Sequence, residues 1–347
     1  MSSHAKAFNA LLLNAMGDPA GHAMLASAGA RIRCVPAAPT PHADALTLAQ
    51  SQVLCVRLPG AVGADLLQRM PALRVIAAAS AGIDNIDLQT ASHLGIAVVN
   101  CPGVGAGAVA EHAVGMMLGL ARRLALADRT LRRDGWSCRE AFFSEPGPEL
   151  SGKRLGIVGL GAIGSRVARI CRDGFGMTIV AYSPTTPASR FDALETERVD
   201  DLAALCGQVD FLVITAPATP ATRHLIGKAQ LTALPAHAFL INVSRGSLVD
   251  HAALELMLRE RRLAGAALDV FEHEPLGSSN ALFGMDHVLL SPHVAGASRE
   301  AHRERAILSA QQVIHIMRGD HPAHLLNPEV MKHTRQTHAP AVAAWEG

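Results

Sequence analysis

Short apolar runs alternate with helical patterns along most of the chain. Positions 52–57, 73–79 and 96–100 are continuous apolar stretches of strand length, and 62–70, between two of them, places its apolar residues at helical spacing. That alternation predicts a parallel sheet whose crossovers are helices. From residue 154 the rhythm repeats with sharper punctuation. The stretches 154–158, 178–182, 211–215, 238–243, 266–270 and 288–290 are strand candidates, enough for one complete doubly wound sheet. Between the two series runs a long helical pattern over 109–133, entered through "NCPGVGAGAVAEH" and left through the loop-rich "SEPGPELSGK". A closing helix is expected over 299–317. The pattern therefore predicts an α/β protein of two doubly wound parallel-sheet domains, the second, 104–294, inserted into a discontinuous first domain made of 1–103 and 295–330. The polar, Ala-rich tail over 331–347 is expected to fray.

Composition removes several classes of function. The chain has 347 residues, 31 Lys and Arg against 30 Asp and Glu, and a formal net charge of +1. With no long basic run there is no electrostatic footprint for nucleic acid or an anionic membrane. The six cysteines, at 34, 55, 101, 138, 171 and 206, include no CxxC pair and suggest neither a zinc site nor a disulfide framework. The apolar run at 11–13 is too short for a signal peptide, and 114–121 falls far below the roughly 18 residues a spanning helix needs. A soluble cytoplasmic protein is expected.

The first chemistry sits in "LGIVGLGAIGS", where Gly159, Gly161 and Gly164 follow a strand and open a helix in GxGxxG spacing. The first glycine allows the tight turn, the second lets the backbone approach a pyrophosphate, and the third lets helix and strand pack closely; this is the Rossmann dinucleotide fingerprint. Ala162 and Ile163 fall in the same loop, and Ala216, Pro217 and Val243, at later strand ends, are assigned to the same cofactor. About 20 residues beyond the glycines an acidic side chain normally receives the ribose of NAD. Here the strand ends "VAYSPTTPASR", no carboxylate stands between 178 and 191, and the slot falls near Ser183. Ser183, Thr185 and Arg190 are the groups available to a 2′-phosphate, so the choice between NAD and NADP leans slightly to NADP.

"INVSRGSLVD" raises a second question, because its apolar run ends by delivering a single guanidinium, Arg245. "LDVFEHEP" delivers Asp269 and Glu274 from the next strand, and "LLSPHVAG" delivers His293 from the one after. In an open parallel sheet ligands bind beyond the carboxyl ends of the strands, so these groups should converge on the nicotinamide end of a dinucleotide. Their types fit one reaction. A guanidinium holds a substrate carboxylate and polarises the adjacent carbonyl. A histidine protonates that oxygen as hydride reaches carbon, and a carboxylate on the other ring nitrogen fixes the tautomer and favours the charged form. That is reduction of a 2-keto acid, or oxidation of a 2-hydroxy acid. Glu272, by contrast, is expected to be a solvated loop acid, and "EHE" at 272–274 brings no metal-ligand set.

With these motifs in hand, the sequence resembles the D-isomer-specific 2-hydroxyacid dehydrogenase family over roughly residues 50 to 330. "SAGIDNIDL" resembles the family's substrate-carboxylate loop and "NCPGVGAGAVAEHAVGMMLGLARR" its interdomain helix, and the glycine, arginine, glutamate and histidine motifs follow in the family's order. The resemblance implies a flavodoxin-like substrate domain around an inserted Rossmann domain, closing on each other over the substrate. It implies that Arg245 binds substrate, Glu274 orients His293, His293 is the acid/base and Asp269 sits near the nicotinamide. It also assigns the backbone at Ala81 and Gly82 to the substrate carboxylate, and a homodimer to the region 109–145. Arg57, at an early strand end, is a further candidate for an acidic substrate.

Two features depart from the family pattern. Gly105, Ala106 and Gly107 replace the polar side chain common after the "NxPG" turn, and the cofactor carboxylate is missing. The chain stops soon after the closing helix, so the regulatory domain of many phosphoglycerate dehydrogenases is expected to be absent. The leading expectation is a glyoxylate or hydroxypyruvate reductase acting on small 2-keto acids. The alternatives are a phosphoglycerate dehydrogenase-like activity or a dinucleotide-sensing corepressor. Formate dehydrogenase is disfavoured, because its members carry glutamine where Glu274 stands, and phosphite dehydrogenase is more distant.

Overall fold

In the computed structural model the described residues are 7–14, 16–36, 43–57 and 60–332. The chain divides into two compact units, Met1–Gly105 with Ala297–Gly347 and Ala106–Gly296. Most of the tail expected to fray lies outside the described residues.

The first unit is a parallel sheet of β1 (Phe8–Leu13), β2 (Ala30–Val35), β3 (Val53–Val56), β4 (Val75–Ala78) and β5 (Ala97–Val99), in the order β2-β1-β3-β4-β5. This is the flavodoxin-like order. The sequence reading placed no strand before residue 52. It missed β2 because "ARIRCV" is a half-exposed edge strand carrying two arginines, and β1 because "FNALLL" is buried throughout and shows no period. Alternate strand residues supply two cores, as the two-residue repeat of a strand requires. Leu11, Leu13, Leu54, Val56, Ile76 and Val98 enter one core. Ala10, Leu12, Val53, Val75 and Ala77 enter the other, where Ala306, Ala310, Val313 and Ile316 of the helix Arg299–Arg318 cover them. That helix meets Pro19–Ser27 so closely that a Cβ on Gly21 would stand 2.7 Å from the Ala306 carbonyl oxygen.

The second unit contains β6 (Arg154–Val158), β7 (Thr178–Tyr182), β8 (Glu197–Arg198), β9 (Phe211–Ile214), β10 (Phe239–Asn242), β11 (Gly265–Leu268) and β12 (Val288–Leu290). All pair in parallel, in the order β12-β11-β10-β9-β6-β7-β8. The short exposed edge strand β8 adds to the six anticipated, and its two charged residues carry no apolar signal. The strand order reverses between β6 and β9, which places the crevice for a ligand beyond their carboxyl ends.

The helical pattern over 109–133 is two helices, Ala106–Ala121 and Leu124–Asp134, separated where Arg123 takes a left-handed φ of 52°. The first is buried along Ala110, Ala113, Val114 and Met117, whereas the second buries no residue. Among the described residues no helix is long and apolar enough to cross a membrane.

Candidate active site

The glycine loop leaves β6 at the reversal point. Gly159 has φ 97°, a conformation open to glycine, and donates its N–H to the Tyr182 carbonyl at 2.9 Å. A Cβ there would stand 2.6 Å from the backbone of Ala216. Gly164 lies against the Gly159 carbonyl, with Thr215 Oγ1 only 2.8 Å from where its Cβ would be. Around Gly161, the N-cap of the helix Ala162–Phe175, there is nothing within 4 Å, so the helix start opens onto free space. Gly159 thus makes the tight turn and Gly164 the close packing, and the first N–H groups of that helix, at Ala162 and Ile163, lack intrahelical acceptors. This is a cradle that fits a dinucleotide pyrophosphate.

The ribose slot after β7 holds no carboxylate. The Ser183 hydroxyl is buried, accepts the Leu160 N–H at 3.0 Å and shares a hydrogen bond of 2.8 Å with Thr186 Oγ1. Ser183 therefore ties its turn to the glycine loop, while Thr185 and Arg190 are exposed nearby in sequence. Pro217 is exposed beyond β9, Ala216 accepts a short hydrogen bond from Ser244 Oγ, and Val243 is buried at the end of β10.

The ends of β10, β11 and β12 deliver the remaining groups. Buried Asn242 accepts the Ser244 N–H at 3.1 Å and donates to the Arg245 carbonyl at 2.9 Å, fixing the turn on which the guanidinium stands. His293 takes φ 53°, and its N–H is held by the Asp269 carbonyl at 2.8 Å. Its Nδ1 meets Glu274 Oε2 at 2.7 Å, while Glu274 Oε1 accepts the Phe271 N–H at 3.0 Å. A carboxylate on Nδ1 leaves Nε2 to face a reactant. Burial alone would raise the Glu274 carboxyl. The bonds from His293 and Phe271, with the charges of His293 and Arg245, outweigh burial and hold it below its ordinary value. The structure thus joins His293 to Glu274 and sets Arg245 within electrostatic reach of that pair.

Asp269 is 1% exposed, and its oxygens accept from Ser291 Oγ at 2.6 Å, Val294 N at 2.9 Å and Ala295 N at 2.9 Å. Its carboxylate is spent on the loop that carries His293. His112 Nε2, 3.0 Å from Ser291 Oγ, extends this network to the helix Ala106–Ala121. The sequence reading missed both Ser291 and His112. The "SPH" triplet was a usable signal for the first, but a helical histidine announces no partner.

Glu272 is not the solvated acid expected from its loop position. Its side chain is 18% exposed, and Oε1 accepts from Arg223 Nη2 at 2.6 Å and lies 3.0 Å from His224 Nε2.

In the first unit, Asn100 Nδ2 donates to the Ala81 carbonyl at 2.7 Å and Ser80 Oγ to the Gly82 carbonyl at 2.6 Å, which fixes that turn. Arg57 follows β3 and lies within electrostatic reach of His302 and Arg305. Burial lowers both partners' pKa values, and Arg57 adds to the lowering at each, against Cys101 and Glu304 beside Arg305 and Asp18 beside His302. Gly105 packs against the Arg305 guanidinium, where a side chain would clash.

Residues 114–295 match the model of the "D-isomer specific 2-hydroxyacid dehydrogenase, NAD binding domain". The chain belongs to the D-isomer specific 2-hydroxyacid dehydrogenase family. It is an NAD(P)-dependent oxidoreductase of that family's type, with the two parallel-sheet units of the family fold. It is 40% identical over 301 residues to the glyoxylate reductase of Aeropyrum pernix, covering 85% of this chain and 88% of that one. It is also 38% identical over 277 residues to the D-3-phosphoglycerate dehydrogenase of Methanocaldococcus jannaschii; the match covers 80% of this chain and spans about half, 52%, of that longer protein. Among solved structures, the family's NADPH-dependent glyoxylate/hydroxypyruvate reductase from Sinorhizobium meliloti, in complex with NADP and malonate, superposes with a TM-score of 0.80. It is 29% identical, and the match covers 92% of this chain and 96% of that one.

Proposed function

We propose that the protein reduces small 2-keto acids of the glyoxylate or hydroxypyruvate type to D-2-hydroxy acids, and oxidises the products in reverse. The 2.7 Å bond between His293 and Glu274, with Arg245 beside it at the strand ends, carries this reading. Arg245 binds the substrate carboxylate and draws electron density from the neighbouring carbonyl. His293, charged and held by Glu274, gives its proton from Nε2 to that oxygen; in the oxidative direction neutral His293 takes the proton back. A nicotinamide bound with its pyrophosphate at Gly159, Gly161 and Gly164 supplies the hydride. Asp269 keeps the 291–295 segment, and so His293, in place. Arg57 and the turn at Ala81 and Gly82 are assigned to the substrate's charged end.

NADP(H) is the slightly preferred cofactor, since no carboxylate stands in the ribose slot to repel a 2′-phosphate. A homodimer fits the stretch 124–145, whose helices bury no residue and present Leu124, Trp136 and Phe143 at 56%, 75% and 65% exposure. Six free cysteines fit a cytoplasmic location. A second reading, oxidation of a phosphorylated 2-hydroxy acid, is favoured by the two neighbouring guanidinium groups of Arg57 and Arg305.

The test is loss of nicotinamide absorbance with NADH and NADPH against glyoxylate, hydroxypyruvate, pyruvate and a longer 2-keto acid, and its gain with 3-phosphoglycerate. Fastest turnover of glyoxylate or hydroxypyruvate supports the first reading. Turnover confined to the phosphorylated acid replaces it with the second.

A further inference from the structure

We infer that Glu272 is a positioning residue for the acid/base pair, acting through Glu274. This rests on the proposed reaction and concerns residues that the reaction does not itself use. Three segments meet at Glu272. The first is the turn 271–274, which carries Glu274 and in which Glu274 Oε1 caps the Phe271 N–H at 3.0 Å. The second is 223–226, which supplies Arg223 Nη2 at 2.6 Å and His224 Nε2 at 3.0 Å to one oxygen of Glu272. The third follows Arg245. His224 N–H donates to the Ser247 carbonyl at 2.8 Å, Ile226 N–H to the Leu248 carbonyl at 2.9 Å, and Ile226 bridges Val249 in parallel.

The knot closes on itself at Gly246. A Cβ at that position would strike the carbonyl of Phe271 and the nitrogen of Glu272, so the backbone after Arg245 packs directly onto the turn that bears Glu274. Beneath it the His251 ring stands edge-on to Phe271 at 6.3 Å. Arg245 and Glu274 are therefore set by one three-segment assembly, in which the Glu272 side chain ties its turn to 223–226 and that segment in turn pairs with the backbone after Arg245. The bond from Glu274 to His293 at 2.7 Å tolerates little displacement, because hydrogen bonds weaken steeply with length and angle.

The groups that face these acids are Arg223, His224 and His251 around Glu272, and His293 and Arg245 around Glu274. His293 itself sits on a loop held by Asp269, with His112 reaching it through Ser291. An effect of the Glu272 charge on His293 through space would add to that of Glu274→Gln, whereas an effect carried by the turn would not.

The experiment compares the full-length wild type with Glu272→Ala, Glu272→Asp, Glu274→Gln and the double variant Glu272→Ala/Glu274→Gln. Rates of 2-keto acid reduction are taken across pH, and the His293 imidazole is followed by NMR. With Glu272→Ala the basic limb of the rate profile and the imidazole midpoint should both move to lower pH. At the upper end of the profile kcat should fall several-fold, on the order of tenfold at most, while dinucleotide affinity is kept. Glu272→Asp should recover part of the loss. The double variant should move no further than Glu274→Gln alone, because the two acids act in series.

Shifts that add in the double variant overturn the proposal, and so does a Glu272→Ala protein that melts earlier yet keeps both midpoints. Should the wild type turn over no 2-keto acid, the proposed reaction fails, but the NMR arm still decides whether Glu272 acts through Glu274.

Discussion

Replacing Glu274 by Gln keeps the shape of the side chain and removes its charge. The bond it makes to His293 Nδ1 is 2.7 Å long, within the range of charge-assisted hydrogen bonds, which contribute about 1.5 to 3 kcal/mol. Both partners are partly wet, with side-chain exposures of 30% and 35%, so solvent screening places the pair at the low end, near 1.5 kcal/mol. A factor of ten in an equilibrium corresponds to about 1.4 kcal/mol, so the pair accounts for roughly a tenfold preference for the imidazolium. The sign follows from which form of the imidazole each direction needs. Reduction uses charged His293; without the carboxylate that form is lost earlier as pH rises, and the basic limb should move to lower pH, with about tenfold less activity above it. Oxidation uses neutral His293, so its acid limb should move down by a similar amount, and oxidation should persist into more acidic solution than in wild type. The assay is nicotinamide absorbance in both directions across pH, with dinucleotide affinity measured separately. An unchanged profile, or a loss of equal size at every pH in both directions, would refute the claim that Glu274 works by favouring the imidazolium.

Three further outcomes are expected. Arg245→Lys should lose most of its kcat/KM for 2-keto acids while the Glu274–His293 pair remains, since a point charge cannot reproduce the two-pronged grip on a carboxylate; near-normal turnover would make the arginine structural. Gly164→Ala should destabilise the second unit by about 1 to 3 kcal/mol, because its Cβ would be forced against the Gly159 carbonyl and Thr215. Gly161→Ala, with nothing within 4 Å, should leave thermal unfolding unchanged and weaken only dinucleotide binding, read by nicotinamide fluorescence; equal melting losses in both variants would contradict the packing argument. His251 and His287 are pulled below the ordinary histidine value by burial. Their unfolded forms take up protons first, so the stability they contribute is present above about pH 6.5 and is lost as pH falls below it. Melting temperature should therefore decline from pH 7.5 to 5.5, and should decline less in a His251→Asn/His287→Asn variant.

The strands of the second unit were legible because buried parallel strands are continuous apolar runs bounded by turns, as at 154–158 and 211–215. β1 is buried throughout and was still missed, since Asn9 shortens its apolar run to 10–13; the other missed strands lack that condition. β2 alternates arginines with apolar residues at a half-exposed edge, and β8 consists of Glu197 and Arg198 alone. The long helix over 109–133 kept its apolar period across Arg122 and Arg123, and period alone cannot reveal a left-handed residue between two helices. The glycine loop was legible for the opposite reason. Its constraints are steric and local, and each missing Cβ corresponds to a nearby atom or an open approach that the motif spacing already implies.

Glu272 and Glu274 show where such reading stops. Two acids one residue apart, in a loop after the same strand, carry the same sequence signal, and the expectation separated them by motif position: Glu274 to the histidine, Glu272 to solvent. The structure brings Glu274 to His293 but gives Glu272 an arginine and a histidine from a segment nearly 50 residues earlier. A partner at that separation leaves no local period, and neither Arg223 nor His224 lies in a motif. What makes their meeting necessary is the parallel bridge between Ile226 and Val249, which lays 223–226 alongside the segment after Arg245, and Gly246, whose missing side chain lets that segment press on the turn at 271–272. The pairing of Glu274 with His293 was legible at strand ends because open parallel sheets collect their polar groups there. The support for that chemistry was not, because it is built from loop-to-loop contacts whose only trace in the sequence is a glycine.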